Sequence, residues 1–405
     1  MKYNKYLMIA AILPVGITAS QISQAYDVVP AGQAVVTGEP SRVGAPWNHR
    51  STFNIPGTNT DVTFGGYIKF DAIYDFDYNL GESTDPLAAA TRGNATDGKT
   101  TFTVNESRIN FRTQTRIDNQ VLKTYIEGHF LPDGQLSLRH AYGEYYGFLA
   151  GQTWTNFMHF LGTPRILKLG GPVGYATGRP DQVRYTYKSG VNTFAAALED
   201  PESSVSDLGL GGAADNTVRL PDLTLRYQYK NNFGISGVVR KFSADSLLTG
   251  DKQTTTGYGV AAQGALPLGD QTTLKGNVMV GKGLGGYLDY VPPSGAKFRA
   301  PDAYLAADGS LKAIELQSYG LSLDHKWNSS WSSSIGTSVV HQDLPDDTPA
   351  FQEVTDTVQF SHINLIWDVN SRLSVGAEFQ HVNLEKVSGE KVDANRVMAS
   401  AQFQF

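Results

Sequence analysis

The sequence predicts an all-β chain: an antiparallel transmembrane barrel of about sixteen strands, with short periplasmic turns, long external loops and one inward-folded constriction loop. Three observations predict it. Apolar and polar residues alternate over runs too long for soluble strands. The linkers between these runs are short and long by turns. The last ten residues, RVMASAQFQF, put Val397, Ala399, Ala401, Phe403 and Phe405 on one face, an amphipathic final strand ending in Phe.

The first element is an export signal. Lys2 and Lys5 precede the short apolar run LMIAAILPVGI, and Ser23 and Ala25 occupy the −3 and −1 positions of a cleavage site, so residues 1–25 read as a signal peptide. The run is broken at Pro14 and is too short to span a bilayer. Nothing after residue 25 has the length of apolar sequence that a membrane helix needs. Losing two lysines and no acid takes the formal charge from −6 to −8, a poor balance for nucleic-acid binding. With no cysteine, disulfides, thiolate nucleophiles and Cys–zinc sites are excluded, and no cofactor is expected.

Residues 26–60 are rich in Gly, Ala, Pro and Val without strand period, and read as a periplasmic leader. The barrel domain is placed at 61–405. In DVTFGGYIKFDAIYDFDY (61–78) the even positions carry Val62, Phe64, Ile68, Phe70, Tyr74 and Phe76, and the odd ones Lys69, Asp71, Asp75 and Asp77. The same alternation recurs at 101–118, 121–131, 135–146, 147–155, 181–189, 191–199, 218–230, 233–243, 255–266, 270–283, 311–326, 331–341, 354–369, 372–385 and 392–405. The even total suits a single-chain outer-membrane barrel. The tight linkers are 118–119, 230–232 and 328–330; the long ones are 79–100, 156–180, 200–217, 284–310 and 342–353.

One stretch points to function. In SRINFRTQTRI (107–117) Arg108, Arg112 and Arg116 share a face with Asn110 and Gln114, while Ile109, Phe111 and Ile117 share the other. An arginine facing the bilayer midplane would cost roughly 2–4 kcal/mol, so the arginines are expected to face a watery lumen. Arg108 to Arg116 spans on the order of 20 Å of depth once strand tilt is allowed for. That is more than one ligand can touch, and reads as a succession of weak anion stations. The linker 156–180 adds Arg165, Lys168 and Arg179 and contains no Asp or Glu, whereas 200–217 and 342–353 hold acids and no Lys or Arg. An acidic exterior around a basic interior follows. Arg139, Arg184 and Arg226 fall on inward positions, as does Lys69, and Tyr67 and Tyr125 supply hydroxyls. A wall-bracing role remains open for each arginine, with Asp71, Asp75 and Glu127 as partners across strands.

SRINFRTQTRI, GGYIKFDAIYDF (65–76), TYIEGHF (124–130), LRHAYGEYY (138–146), GQTWTNF (151–157) and RPDQVRYTY (179–187) together resemble the DcaP-like trimeric outer-membrane porins. IPGT at 55–58 looks like that family's entry into the first strand, and the likeness covers roughly 53–405. It implies a homotrimer in the outer membrane of a Gram-negative cell, in contact with lipid and lipopolysaccharide. It further implies passive uptake of small anionic solutes such as dicarboxylates and aromatic dicarboxylates, with the third external loop, here 156–180, as the constriction. The terminal Phe405 resembles the signal read by the barrel assembly machinery. Some relatives carry an N-terminal coiled coil, but 26–60 show no heptads. Three other readings stay open at this point. A poorly selective general porin differs only in ion selectivity. A barrel lipase or protease would need a nucleophile motif around His129, His140 or His159. A secreted soluble β protein would not end in an amphipathic strand terminating in Phe.

Overall fold

The computed structural model describes residues 52–90, 94–130, 134–168, 171–201, 205–206, 220–245, 250–288 and 301–405. The signal segment and leader residues 26–51 lie outside them. The long-period runs form the strands β1 (Thr60–Asp75), β2 (Lys99–Thr103 and Arg108–Ile117), β3 (Gln120–Phe130), β4 (Leu136–Tyr145), β5 (Phe148–Gln152), β6 (Asp181–Ser189), β7 (Asn192–Glu199) and β8 (Asp222–Tyr229). They continue as β9 (Phe233–Asp245), β10 (Lys252–Pro267), β11 (Thr272–Lys282), β12 (Glu315–Lys326), β13 (Trp331–Asp343), β14 (Thr355–Asn370), β15 (Leu373–Lys386) and β16 (Lys391–Gln404). Each pairs antiparallel with the next, and β16 closes the barrel on β1, from Tyr67 opposite Gln404 to Asp75 opposite Arg396. The leader contributes one short strand, Thr52–Asn54, which pairs with Asp61–Thr63 of β1.

Burial is inverted relative to a soluble protein, and that inversion identifies the solvent. On β1 the apolar Phe64, Ile68 and Phe70 are 52%, 45% and 41% exposed, while Lys69, Asp71 and Asp75 are 1%, 3% and 0% exposed. Such a belt of exposed Phe, Ile, Leu, Val and Tyr recurs on successive strands and is stable only against hydrocarbon. Among the described residues no helix is long and apolar enough to cross a membrane. Tyr146, Tyr187, Tyr229, Trp327, Trp331 and Trp367 are exposed at the short-turn end, the place where amphipathic rings settle at a membrane interface. The Trp331 and Trp367 rings stack there at 5.5 Å. The turns are tight: Asp118 and Tyr146 adopt φ of 51° and 52°, the left-handed geometry that two-residue hairpins demand.

β2 departs from the uninterrupted strand read from the sequence. Between the pairs Asp71–Thr103 and Tyr67–Arg108, β1 advances four residues and β2 five. The extra residue is a bulge at 104–107. It is required because Phe102 and Ile109, of opposite parity, both face outward, at 67% and 44% exposure. The bulge leaves Glu106, Ser107 and Arg108 all buried in succession.

Candidate permeation path

The lumen has two unlike walls. On β9–β16 the inward residues include Val238, Ala261, Met279, Val340, Phe360 and Val382, all buried. These apolar inward residues cannot be left to water, and three loops cover them. Leu80 and Leu87 of loop 1 (76–98), Phe157, Met158 and Val173 of loop 3 (153–180), and Leu284 and Leu288 of loop 6 (283–314) join those wall residues in one cluster. Inward folding of loops 1 and 6 has a local signal, the apolar runs PLAAA (86–90) and LGGYL (284–288), which no exposed loop would keep in water.

A buried cation pins each of the flanking loops. Arg396 of β16 holds Asp75 through Nε at 2.6 Å and a second nitrogen at 2.7 Å, and donates to Thr84 Oγ1 and the Gly81 carbonyl of loop 1. Arg240 of β9 bridges Asp222 and, in loop 6, Asp302 and the Gly283 carbonyl, with the Tyr287 ring 4.8 Å away.

Loop 3 runs along the inner wall. Glu199 of β7 accepts from Thr155 Oγ1 at 2.7 Å and from the Asn156 amide at 2.6 Å. Ser236 donates to the Phe157 carbonyl, and Gln263 accepts from the Gly162 amide. Lys275 donates to the Thr163 carbonyl, and Arg165 makes two bonds to Asp368, at 2.9 and 2.6 Å. Glu378 accepts from the Leu167 amide, and Lys69 of β1 donates to the Leu167 carbonyl. Ser236, Gln263, Lys275 and Asp368 all fall in the short-turn halves of their strands, so the loop reaches deep. Lys168 is buried, donating to the Gly171 carbonyl beneath the Phe360 ring. Arg165 and Lys168 therefore hold the loop in place.

On the other wall, β1–β8, most of the remaining sequence-derived site residues meet. Lys69 is paired with Asp71 and with Glu106 of the bulge. Arg108 approaches Glu106 at 4.0 Å and Glu127 at 3.5 Å, and lies over the Tyr67 ring. Glu127 also accepts from Arg139 at 3.1 Å and from the Tyr125 hydroxyl at 2.6 Å. The result is an alternating chain of charge across β1–β4. Arg112, half-buried, lies 5.1 Å from the centre of the Tyr125 ring. Arg116 sits at the short-turn rim, paired with Asp61 at 2.8 Å, its side chain 50% exposed. The three arginines of β2 thus run from a buried ion cluster, past an aromatic face, to an exposed rim pair.

Trp154 of loop 3 is bracketed by Arg179 at 4.7 Å and Arg139 at 5.6 Å. Arg184 of β6 donates to the Trp154 carbonyl at 3.4 Å, and Arg226 of β8 to the Met158 carbonyl at 3.5 Å. Sequence reasoning did not single out Glu106, Arg240, Arg396, Glu199 or Glu378. Glu106 lies inside the bulge, where strand parity fails. The others sit on regular inward positions and were findable by parity alone.

A sequence profile described as the porin subfamily matches residues 49–388. Among solved structures, the outer membrane channel DcaP of Acinetobacter baumannii superposes with a TM-score of 0.74 at 23% identity, over 88% of this chain and 100% of that one. OmpT of Vibrio cholerae in its trimer form gives 0.55 at 14%, over 85% and 99%. An anion-selective porin from Comamonas acidovorans gives 0.54 at 10%, over 85% and 100%. At these identities the likeness is one of fold. Comparison with curated proteins finds no match.

Proposed function

The chain belongs to the porin subfamily and forms an outer-membrane channel, and from that premise we propose that it passes small solutes by diffusion with a preference for anions such as dicarboxylates, aromatic ones included. The observation that carries this is the gathering of Arg108, Arg112, Arg139, Arg184 and Arg226 on β1–β8, with Arg179 at the end of loop 3 beside them, among aromatic rings. The acids that offset them, Glu106, Glu127 and Glu199, are buried and already hydrogen-bonded or ion-paired, which leaves them little to offer a passing cation. The selectivity named in the Comamonas acidovorans porin agrees with this reading. A general, weakly selective porin is the second reading, favoured by the Arg108–Glu127–Arg139 pairing, which neutralises part of the wall.

The proposal extends to export and assembly: residues 1–25 direct export, the barrel assembly machinery reads the strand ending at Phe405, and three copies associate in a membrane containing lipopolysaccharide. Reversal potential in a planar bilayer under an about tenfold salt gradient tests the central claim, since screening makes the preference shrink as salt rises. Wild type should show anion preference at low salt, and Arg112→Gln should reduce it. A cation-preferring wild type would sink the anion reading, and a value near zero would favour the general porin.

A further inference from the structure

Tyr287 of loop 6 stands between two carboxyl groups. Its hydroxyl lies 3.1 Å from Glu199 Oε2 of β7 and 3.0 Å from Asp222 Oδ2 of β8. All three side chains are buried. A phenol has one proton, so it can donate to only one of these oxygens. At the other, two oxygens would face each other with no hydrogen between them, unless that carboxyl brings a proton of its own. The phenol keeps its proton: burial, and after it the carboxylates of Glu199 and Asp222, hold its pKa far above the usual tyrosine range.

The charges around this bridge are unequal. Arg240 of β9 pairs with Asp222 at 2.8 Å and with Asp302 of loop 6 at 2.8 Å. Among the described residues Glu199 has no cation within ion-pair distance. Its other donors are neutral: Thr155 Oγ1 at 2.7 Å, the Asn156 amide at 2.6 Å and Thr224 Oγ1 at 2.9 Å. Gln182, opposite it on β6, is uncharged. Arg184 of β6 and Arg226 of β8 act on Glu199 from a longer range. In direct contact, three carboxyl groups therefore share one guanidinium, which is costly in a buried site if all three are ionised.

The bridge is also a joint between loops. Glu199 holds the first arm of loop 3 through Thr155 and Asn156. The Tyr287 carbonyl accepts from the Thr177 amide of the second arm at 2.8 Å, and the Tyr287 ring meets Phe157 edge-on at 5.4 Å. Ala176 and Leu288 form a backbone bridge beside it. A change at Tyr287 is therefore felt by loop 6 and by both arms of loop 3.

We propose that Glu199, Tyr287 and Asp222 together bind one proton beyond the phenol's own, and that this proton locks loop 6 to loop 3. One carboxyl donates to the phenol oxygen while the phenol donates to the other carboxylate. The proton belongs to the bridge and not to a single residue. As pH rises past its release, two negative oxygens are left around one hydroxyl proton and push apart. Arg184 and Arg226 favour the released state and so lower the pH at which it appears. The direction is fixed: the joint is tight on the acid side and loosens on the alkaline side.

Infrared spectroscopy of the full-length protein in lipid vesicles reads the proton directly. At neutral pH the difference between wild type and Glu199→Gln should contain the carbonyl band of a buried protonated carboxyl, and alkaline buffer should remove that band from wild type. Single-channel recording reads the joint. Wild-type fluctuations between conductance levels should grow as pH rises through the release, by up to about tenfold per pH unit, the slope of one proton. Glu199→Gln, whose amide can donate to Tyr287 at every pH, should stay quiet throughout. Tyr287→Phe removes the shared hydroxyl and should fluctuate at every pH without the wild-type slope. The absence of the carboxyl band, or a Glu199→Gln channel with the wild-type pH profile, would overturn the proposal. If Glu199→Gln does not fold, Tyr287→Phe decides: a profile as steep as that of wild type would show that the bridge holds no such proton.

Discussion

Arg396 is fully buried, and among the described residues its charge is matched by Asp75 alone, which is itself fully buried. Removing one partner of such a pair strands the other charge. Asp75→Asn should therefore cost about 3 kcal/mol, since the remaining bonds to Thr84 and Gly81 are to neutral oxygens. The expected result is a lower temperature for loss of the compact folded band in cold-run gel electrophoresis, with loop 1 newly open to protease. Gly66 makes a second demand at this scale. A Cβ there would lie 2.2 Å from the Arg108 carbonyl oxygen and 2.8 Å from the Phe405 ring, at the seam where β1 meets β2 and the chain's last residue. The Phe405 amide also bonds the Gly66 carbonyl, at 3.2 Å. Gly66→Ala should lower refolding yield, whereas Gly57→Ala, where a Cβ would meet nothing within 4 Å, sits in a turn of φ 77° and should cost only local strain.

At the scale of the element, strand parity was legible because lipid and lumen impose opposite chemistries on alternate residues. That is why Ile109, Phe111 and Arg108 could be assigned to faces from the sequence, and why the strand regions were found without tertiary information. What parity cannot report is where it breaks. The bulge at 104–107 shows only as Phe102 and Ile109 being of opposite parity, and it supplies Glu106, the acid shared by Lys69 and Arg108. Pairing across strands was foreseen for Glu127, which serves Arg108 and Arg139 from a neighbouring strand, but which arginines each acid would take was not. The bulge predicts a sharp length dependence. Deleting Asn105 would remove the extra residue, so that either Phe102 turns inward or Arg108, Arg112 and Arg116 turn to lipid. The second alternative costs several kcal/mol, at roughly 2–4 kcal/mol for each arginine near the midplane. The deletion should abolish folding into lipid vesicles, while deletion of a single residue from the exposed turn 345–348 should not. A folded, conducting Asn105 deletion would show that the register can relax elsewhere.

For the whole molecule, the proposed permeation path follows from how the loops divide the lumen. Covering the apolar inward residues of β9–β16 with loops 1, 3 and 6 stabilises the barrel by burying Leu80, Phe157, Leu284 and their neighbours. On the proposed path, those loops also narrow the lumen on that side. On β1–β8, by contrast, Arg112, Gln114, Arg184 and Arg226 are only half-buried, as is Arg179 at the end of loop 3. On the proposed path, a solute would meet the arginines of β1–β8 on one side and the backbone of loop 3 on the other. On that proposal selectivity would be a property of geometry as well as of charge, because a basic wall in a wide lumen would be screened within a Debye length of about 8 Å. The chain has no cysteine, so single cysteines can report access without background. Cysteine at Gln114 or Arg112 should react with a membrane-impermeant methanethiosulfonate and reduce conductance. Cysteine at Val358 or Val382, inward-facing but 1% and 0% exposed beneath the loops, should stay unreactive in the folded barrel. Asp368→Asn loosens the Arg165 clasp and should raise labelling at Val358 only if loop 3 closes that wall by itself. If Val382 labels as fast as Gln114 in the wild-type barrel, the lumen is open on both sides and the one-sided path is wrong.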